Sequence, residues 1–289
     1  MVELLTGIAP ITHRYRALIV DLWGVLHDGA TPFAGAQAAL AGAMAAGLKV
    51  QLLSNAPRPV APVAVRLSEL GYPTGSYTTL MTSGEATWRM LNDRTDPFFA
   101  GLGAKVYFLG ATKDRMMLDG GYATPVPTLD QADFILNTGA DFGATLAEYE
   151  DVLEAARRLG LPMVCANPDR VVIHHGVREI CAGTLAERYA EIGGVVREIG
   201  KPHGEVYRLC LEVLGLPASQ VLAIGDSLTT DIAGAAAFGM DSVLVADGIF
   251  AEPLGVAPGG PGLSAGAVTD LAAKLGVAAP TYALPHLAW

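Results

Sequence analysis

Positive charge is scarce in this sequence. Its 289 residues include 19 Lys and Arg against 29 Asp and Glu, which gives a formal net charge of −10 at neutral pH. Proteins that bind nucleic acid usually present a basic face to the phosphate backbone. The charge balance therefore predicts no nucleic-acid partner, and an anionic ligand would need a local positive site.

Long apolar runs are also missing, although 51% of the residues are hydrophobic. No run approaches the roughly 18 apolar residues that span a bilayer, so no membrane partner is expected. The chain begins MVELL, with an early acid and no basic group, whereas a secretory signal peptide begins with a basic segment. The cytoplasm is therefore the expected compartment.

Cysteine is rare, with three residues that show no C-x-x-C spacing: Cys165, Cys181 and Cys210. An odd number without metal-site spacing predicts buried, apolar cysteines in a reducing compartment. The P-loop pattern GxxxxGK[ST] does not occur. The first predicted strand, residues 17–20, is followed by Asp-Leu-Trp-Gly, where a dinucleotide fold would carry GxGxxG. P-loop NTPases and nucleotide-dependent oxidoreductases are therefore disfavoured.

A repeated pattern dominates the rest of the chain: an Ala- or Leu-rich helix, a glycine, a short apolar strand and a polar cluster. In its first copy, residues 36–46 are predicted helical, Gly47 ends the helix, and residues 48–53 form a strand. Glycine after the last helical turn is the usual left-handed cap. Nearly continuous apolar strands are typical of a parallel sheet that is buried on both faces. The alternation predicts an α/β fold with a doubly wound parallel sheet.

The middle of the chain contains more predicted strands than one compact sheet of this length needs. The additional strands are 105–109, 134–136 and 162–166. We therefore predict a second α/β module inserted at residues 82–182, with residues 1–81 and 183–289 forming the first module.

Polar side chains follow several of the apolar strands. The segments are Asp-Leu-Trp-Gly-Val-Leu at 21–26, Leu-Leu-Ser-Asn at 52–55, Gly-Lys-Pro at 200–202 and Gly-Asp-Ser-Leu-Thr-Thr-Asp at 225–231. Turn-forming residues are common at strand ends, but ligands of doubly wound sheets also lie there. A carboxylate such as Asp21 can attack phosphorus. Asp21 and Asp226, with a main-chain carbonyl, could supply the oxygen ligands that Mg²⁺ prefers.

The remaining polar residues of these segments fit the same chemistry. Ser54, Asn55 and Lys201 could hold phosphoryl oxygens, whose charge spreads in the transition state. Asp231 could orient Lys201 or a metal-bound water. Alternatively, Asp231 is an acid at a helix N-terminus, where the helix dipole favours it.

In set and order these motifs resemble those of the haloacid dehalogenase-like superfamily, specifically its class IIA phosphatases, whose cap is inserted between the second and third motifs. The resemblance covers nearly the whole chain, and Ala-Asn-Pro-Asp at 166–169 is similar to the cap's substrate loop. It implies a Rossmann-like core with a C2-type α/β cap, and Mg²⁺-dependent hydrolysis of a small phosphorylated metabolite through an aspartyl-phosphate. The resemblance implies that Asp21 is the nucleophile and a metal ligand, and that the main-chain carbonyl of Trp23 is another ligand. It also places Asp226 and Asp231 in the metal site. Phosphoryl binding is implied for Ser54, Asn55 and Lys201, and substrate binding for Asn167 and Asp169.

One position departs from the family pattern. The superfamily motif has a second aspartate two residues after the nucleophile, as acid for the leaving group and base for water, and this chain has Trp23 there. A positioned acid–base group typically contributes ~10²–10⁴-fold, and indole cannot transfer a proton. Either His27 or Asp28 substitutes, or the leaving group needs no protonation, or the site binds a phosphorylated ligand without turnover. His27-Asp28-Gly29 also fits a simple turn.

Two hypotheses follow. The leading one is a Mg²⁺-dependent phosphatase, and the alternative is a catalytically weak or silent relative with a regulatory binding role. Specificity is expected from the inserted module, with Asn167, Asp169, Arg170 and Arg178 as candidates, although both arginines could be ordinary solvated charges. The sequence does not reveal the substrate, and it leaves a homodimer open.

Overall fold

The computed structural model describes residues 1–174, 177–258, 260 and 262–289. Its strands are β1 Glu3–Leu4, β2 Ala17–Val20, β3 Lys49–Ser54, β4 Thr79–Thr82, β5 Lys105–Leu109, β6 Thr124–Pro125, β7 Phe134–Asn137, β8 Met163–Cys165, β9 Val171–His174, β10 Val177–Ile180, β11 Val196–Glu198, β12 Val221–Gly225, β13 Asp241–Val245 and β14 Tyr282–Leu284. Its α-helices are α1 Ala36–Ala45, α2 Val60–Glu69, α3 Ser83–Asp93, α4 Pro97–Gly101, α5 Glu150–Arg158, α6 Ala182–Glu191, α7 Gly204–Leu214, α8 Ala233–Ala237 and α9 Ala265–Leu275. Within the described ranges, no helix is both long and apolar enough to cross a bilayer.

The chain divides into two compact units. The core unit comprises Met1–Ser54, Ala64–Met81 and Lys201–Trp289, and the inserted unit comprises Asn55–Val63 and Thr82–Gly200. The inserted unit therefore runs beyond the predicted boundary at residue 182. The reason is packing, because β11 pairs with β8 and the buried side chains Leu185 and Tyr189 of α6 belong to the inserted unit's hydrophobic core.

The core unit contains a seven-stranded sheet in the order β1-β14-β13-β12-β2-β3-β4. The central strands β12, β2 and β3 pair in parallel, with Val20 opposite both Ile224 and Leu52. Every residue of β2 and β12 is buried, which explains why these strands are apolar without interruption. This sheet, with its helices, confirms the predicted α/β fold. Its order brings the carboxyl ends of β12, β2 and β3 side by side.

The inserted unit contains a five-stranded sheet in the order β11-β8-β7-β5-β6. Each neighbouring pair in this sheet is parallel, and β9 and β10 form a separate antiparallel pair. The chain adds β6 on one side of β5 and then β7 on the other. The strand order therefore reverses between β5 and β7.

Local predictions from glycine and cysteine agree with the structure. Gly47, Gly160 and Gly215 have positive φ angles of 85°, 69° and 67° after helices α1, α5 and α7, as left-handed helix caps require. Cys165, Cys181 and Cys210 are all buried.

Candidate active site

Asp21 lies at the carboxyl edge of the core unit's sheet. It directly follows β2, and its main-chain N–H donates to the carbonyl of Ile224 in β12 over 2.9 Å. This register carries Asp21 and Asp226 to the ends of two neighbouring strands. Ser54 closes β3 on the other side of β2. Parallel pairing thus gathers at one edge three residues that are far apart in the sequence.

Lys201 joins two of the buried carboxylates. Its Nζ lies 2.6 Å from Oδ1 of Asp21 and 2.7 Å from Oδ1 of Asp231, and all three side chains are at most 10% exposed. Burial and the carboxylates of Asp231 and Asp226 raise the pKa of Asp21, although Lys201 opposes this shift. Burial disfavours the Lys201 ammonium, but Asp21 and Asp231 outweigh this effect and raise its pKa. Lys201 is therefore a fixed cation between two acids.

Asp226 completes the acidic group, and glycines make room for it. Its Oδ2 accepts a hydrogen bond from the N–H of Ile249 over 2.9 Å. A Cβ on Gly24 or Gly248 would lie only 2.0 or 2.1 Å from the same oxygen. The main chain therefore approaches this carboxylate from two sides, where no other residue type would fit.

The carboxylates of Asp21, Asp226 and Asp231 converge as a metal site would require. Each offers an oxygen within 4.8 Å of the others, and all three residues are buried. Three carboxylates and one ammonium leave an excess of negative charge in a buried place, which is costly without a cation. Carboxylate oxygens are hard ligands of the kind that Mg²⁺ and Ca²⁺ take. The donor set therefore fits a divalent cation.

Asp231 is held by the segment that contains it. Leu228–Ile232 forms a turn of π-helix, a conformation common at functional sites. The carboxylate Oδ2 accepts from the N–H of Ser227 over 3.3 Å. The buried Tyr207 hydroxyl donates to the Asp231 carbonyl over 3.2 Å. No motif in the sequence marks Tyr207, since it is one aromatic residue inside a helical pattern.

The loop after Asp21 places an indole where the superfamily pattern has an acid. The six-membered ring of Trp23 packs on Gly29, where a Cβ would lie 2.1 Å from Cη2. The Trp23 ring also meets the His27 ring edge to face, with the ring centroids 5.7 Å apart. The half-buried indole is thus part of the loop's own packing.

His27 and Asp28 both make the hydrogen bonds of a turn. The N–H of Gly29 donates to Nδ1 of His27 over 2.9 Å, and burial lowers the pKa of His27 to about 4. Its imidazole is therefore neutral at pH 7. Oδ1 of Asp28 accepts from the N–H groups of Ala30 and Thr31, and these bonds lower the pKa of Asp28.

The predicted substrate residues of the inserted unit form one polar group. Asn55 Nδ2 donates to Oδ1 of Asp169 over 2.8 Å, and the N–H of Asp169 donates to Oδ1 of Asn167 over 2.9 Å. The Ser83 hydroxyl donates to Oδ1 of Asn55 over 3.1 Å. Ser83 is not among the site residues predicted from the sequence, although Thr82 and Glu85 around it have the spacing of a helix N-cap.

The two candidate arginines have different environments. Nη1 of Arg170 donates to the carbonyl of Gly183 over 2.8 Å and to that of Pro168 over 3.2 Å, and it also pairs with Glu198. Arg170 therefore ties the Asn167–Asp169 loop to α6 and β11. Arg178 lies on β10 and is exposed.

Comparison with known proteins identifies the family. A family model described as haloacid dehalogenase-like hydrolase matches residues 15–239, and a second model of the same type matches residues 198–287. The chain belongs to the haloacid dehalogenase-like hydrolase family. This confirms the resemblance that the sequence motifs indicated.

Three similar proteins illustrate the relationship. A D-glycerol 3-phosphate phosphatase of Mycobacterium tuberculosis is 27% identical over 84% of this chain and 68% of its own length. An acid sugar phosphatase of Staphylococcus aureus is 25% identical over 82% of this chain and 88% of its own length. A haloacid dehalogenase-like hydrolase structure from Brucella suis has a TM-score of 0.81 and 31% identity, and the match covers 98% of this chain and 99% of that one. The prediction of a phosphoric monoester hydrolase is thus supported by the family and by two phosphatase relatives.

Proposed function

We propose that this protein hydrolyses a small phosphorylated metabolite through an aspartyl-phosphate on Asp21, with Mg²⁺ as cofactor. The observation that carries the proposal is the buried group in which Lys201 bridges Asp21 and Asp231 while Asp226 lies within ligand distance. Its position at the carboxyl ends of parallel strands is where α/β sheets bind ligands. The two relatives act on different phosphate esters by name, so phosphate is the feature that their substrates share.

The metal would be held by the carboxylates of Asp21 and Asp226 and by the main-chain carbonyl of Trp23, with Asp231 completing the site. Mg²⁺ in such a site supplies positive charge to the phosphoryl oxygens. Replacement of the side chain at position 23 leaves the carbonyl in place, since it belongs to the main chain. Tryptophan at this position is therefore compatible with metal binding.

In the first step, an Asp21 carboxylate oxygen forms a bond to phosphorus, and the bond from phosphorus to the leaving oxygen breaks. The leaving oxygen takes that electron pair. Ser54, Asn55 and Lys201 would bind the phosphoryl oxygens, whose charge is spread in the transition state. In the second step, water attacks the same phosphorus and loses a proton to solvent. The bond from phosphorus to the Asp21 oxygen breaks, and this oxygen keeps the electron pair, so phosphate leaves and the Asp21 carboxylate is restored.

Proton transfer restricts the substrate. Trp23 cannot protonate the leaving oxygen, and His27 and Asp28 make turn hydrogen bonds. Leaving groups that are stable as anions need no acid. Acyl and aryl phosphates should therefore turn over faster than alkyl phosphate monoesters. The inserted unit, predicted at residues 82–182, would supply the remaining specificity through Asn167 and Asp169.

The test is a screen of phosphorylated metabolites with and without Mg²⁺, using wild type and Asp21→Asn. Activity should require both the metal and Asp21. Asp241→Asn is a matched control, because it removes a carboxylate at the opposite end of the sheet, where Tyr15 donates over 2.7 Å; it should keep the activity. Unchanged phosphatase activity in Asp21→Asn would eliminate the nucleophile. Equal rates on sugar phosphates and aryl phosphates would contradict the argument from Trp23.

Trp23 also favours a second candidate, a protein that binds a phosphorylated ligand without completing turnover. In that case Asp21 would still react with phosphate analogues. Mass spectrometry or ¹⁹F spectroscopy of the protein with beryllofluoride and Mg²⁺ would detect the adduct. An adduct on Asp21 without measurable turnover of any phosphate ester would favour the binding protein over the enzyme.

A further inference from the structure

The loop that carries Asn55 runs along the carboxyl edge of the inserted unit's sheet. Asn55 contacts Asp169, which follows β8, and Arg58 contacts Asp114, which follows β5. Strand β7 lies between those two strands, which are therefore two strand spacings apart, about 10 Å, and the two side-chain contacts lie on either side of β7. Arg58 therefore lies at this edge near the β5–β7 reversal, and such reversals are where α/β sheets bind ligands.

Main-chain contacts fix the position of Arg58. The Thr82 hydroxyl donates to the Arg58 carbonyl over 2.5 Å, and the N–H of Gly84 donates to the carbonyl of Ala56 over 3.0 Å. A Cβ on Gly84 would lie 2.3 Å from the Arg58 nitrogen. The loop is thus packed directly on the first turn of α3, and this packing holds the main chain of Arg58 in place.

The Arg58 side chain is oriented by a buried acid. Its Nε lies 2.5 Å from Oδ1 of Asp114, whose side chain is 5% exposed, whereas the Arg58 side chain is 34% exposed. Within the described part of the chain, its guanidinium makes no other hydrogen bond or ion pair. Engagement through Nε leaves the two Nη groups as a planar fork of donors, a geometry that matches carboxylate and phosphate. Lys113 and Arg115, the sequence neighbours of Asp114, are both exposed.

We propose that Arg58 binds a second anionic group of the substrate, so that the preferred substrate carries a carboxylate or a second phosphate besides the phosphoryl group that Asp21 attacks. This inference rests on the proposed phosphatase function. Asn55, three residues earlier, would bind the phosphoryl group, so one loop would recognise both anionic groups of a small metabolite. Asp114 acts through Arg58 and is a positioning residue.

The experiment compares aryl phosphates of similar leaving groups that differ in one substituent. The probes are 3- and 4-carboxyphenyl phosphate, their neutral carbamoyl counterparts, and the corresponding phenylene bisphosphates. For wild type we expect kcat/KM to be about 10- to 100-fold higher for an anionic probe than for its carbamoyl counterpart, as for a charge-assisted hydrogen bond. The carboxyl and bisphosphate arms distinguish the two sources of the second charge.

Variants assign that preference to Arg58. Arg58→Gln should abolish it mainly through KM while leaving carbamoyl probes within about twofold, and Arg58→Lys should recover part of it because the fork is lost but the charge remains. Asp114→Asn should raise KM for anionic probes with kcat nearly unchanged. Arg188→Gln is the matched control in the same unit, since Arg188 pairs with Glu150 and its side chain is 31% exposed; it should leave all probes unaffected.

Binding provides a measurement that does not depend on turnover. Calorimetric titration with 3- and 4-carboxybenzyl phosphonates and their carbamoyl analogues should show the same preference in wild type and its loss in Arg58→Gln. If no phosphate ester is hydrolysed but the carboxyl phosphonates bind better, the proposed function fails and the role of Arg58 stands. Equal affinities, or an equal loss on both probe types in Arg58→Gln, would overturn the role of Arg58 while leaving the phosphatase assignment intact.

Discussion

Replacement of Trp23 by aspartate should give this chain the proton-transfer group that it lacks. A positioned acid–base group contributes about 10²–10⁴-fold, equivalent to about 3–5 kcal/mol of activation free energy. In wild type, the missing acid slows only the loss of poor leaving groups, but the missing base slows the attack of water for every substrate. With a nitrophenyl phosphate, wild type should therefore release about one nitrophenol per active site in a burst, followed by a slow steady state.

Trp23→Asp should remove that burst and raise steady-state turnover at least 100-fold, with the larger gain on alkyl phosphates. The cost appears in stability, because the indole packs on Gly29 and His27. Full truncation of a buried Trp costs about 3–5 kcal/mol, so about half of that is expected for this half-buried ring. Trp23→Asn loses the same packing without gaining a carboxylate. The ratio of the turnover rates of the two variants therefore isolates the contribution of proton transfer.

Rapid-mixing absorbance measurements would detect the burst and give the steady-state rates. Thermal unfolding would compare the stability of the two variants. Equal turnover by Trp23→Asp and Trp23→Asn would refute the assignment of position 23 as the missing acid–base position. So would a wild-type enzyme that shows no burst and hydrolyses alkyl and aryl phosphates at equal rates.

Three further predictions concern the core unit. Gly24→Ala should abolish turnover, because its Cβ would lie 2.0 Å from Oδ2 of Asp226; Gly47→Ala, also at positive φ but with open space around it, should retain turnover in the same assay. The pKa of His27 is lowered from 6.5 to about 4, so between about pH 6.5 and pH 4 the imidazole is protonated in the unfolded chain but not in the folded one. The free energy of unfolding should therefore fall by up to about 3 kcal/mol over that pH range in wild type relative to His27→Gln, as measured by denaturant titration. Gln51 is fully buried and, within the described residues, neither side-chain polar atom has a hydrogen-bond partner, so Gln51→Met should raise the free energy of unfolding by about 1–3 kcal/mol.

A specific result would contradict each of these three predictions. Loss of activity in both glycine variants would point to backbone strain rather than to crowding of Asp226. Parallel stability profiles of wild type and His27→Gln would mean that the buried imidazole is not the group that titrates. A lower denaturation midpoint in Gln51→Met would show that the amide has a stabilising partner.

Local features of this protein could be read directly from the sequence. The apolar strand before Asp21, the glycine caps of α1 and α7, and the polar ends of β2, β3 and β12 depend on residues that are neighbours in the chain. Side-chain size and backbone freedom act over such short distances regardless of the rest of the fold. The parallel sheet follows from these elements, and its carboxyl edge then predicts where the site lies.

The contacts between side chains needed the tertiary structure. The partners of these contacts are far apart in the sequence: Lys201 and Asp231 by 30 residues, Arg58 and Asp114 by 56, and Asn55 and Asp169 by 114. Each of these pairs depends on the strand order and on which loop packs against which helix. The hydrophobic periodicity of the sequence predicts neither of these. The sequence by itself determined the α/β fold, the acidic strand ends and the absence of an acid at Trp23. Only the tertiary structure decided that Lys201 is held between two carboxylates and that a buried aspartate orients Arg58, because both follow from packing between distant segments.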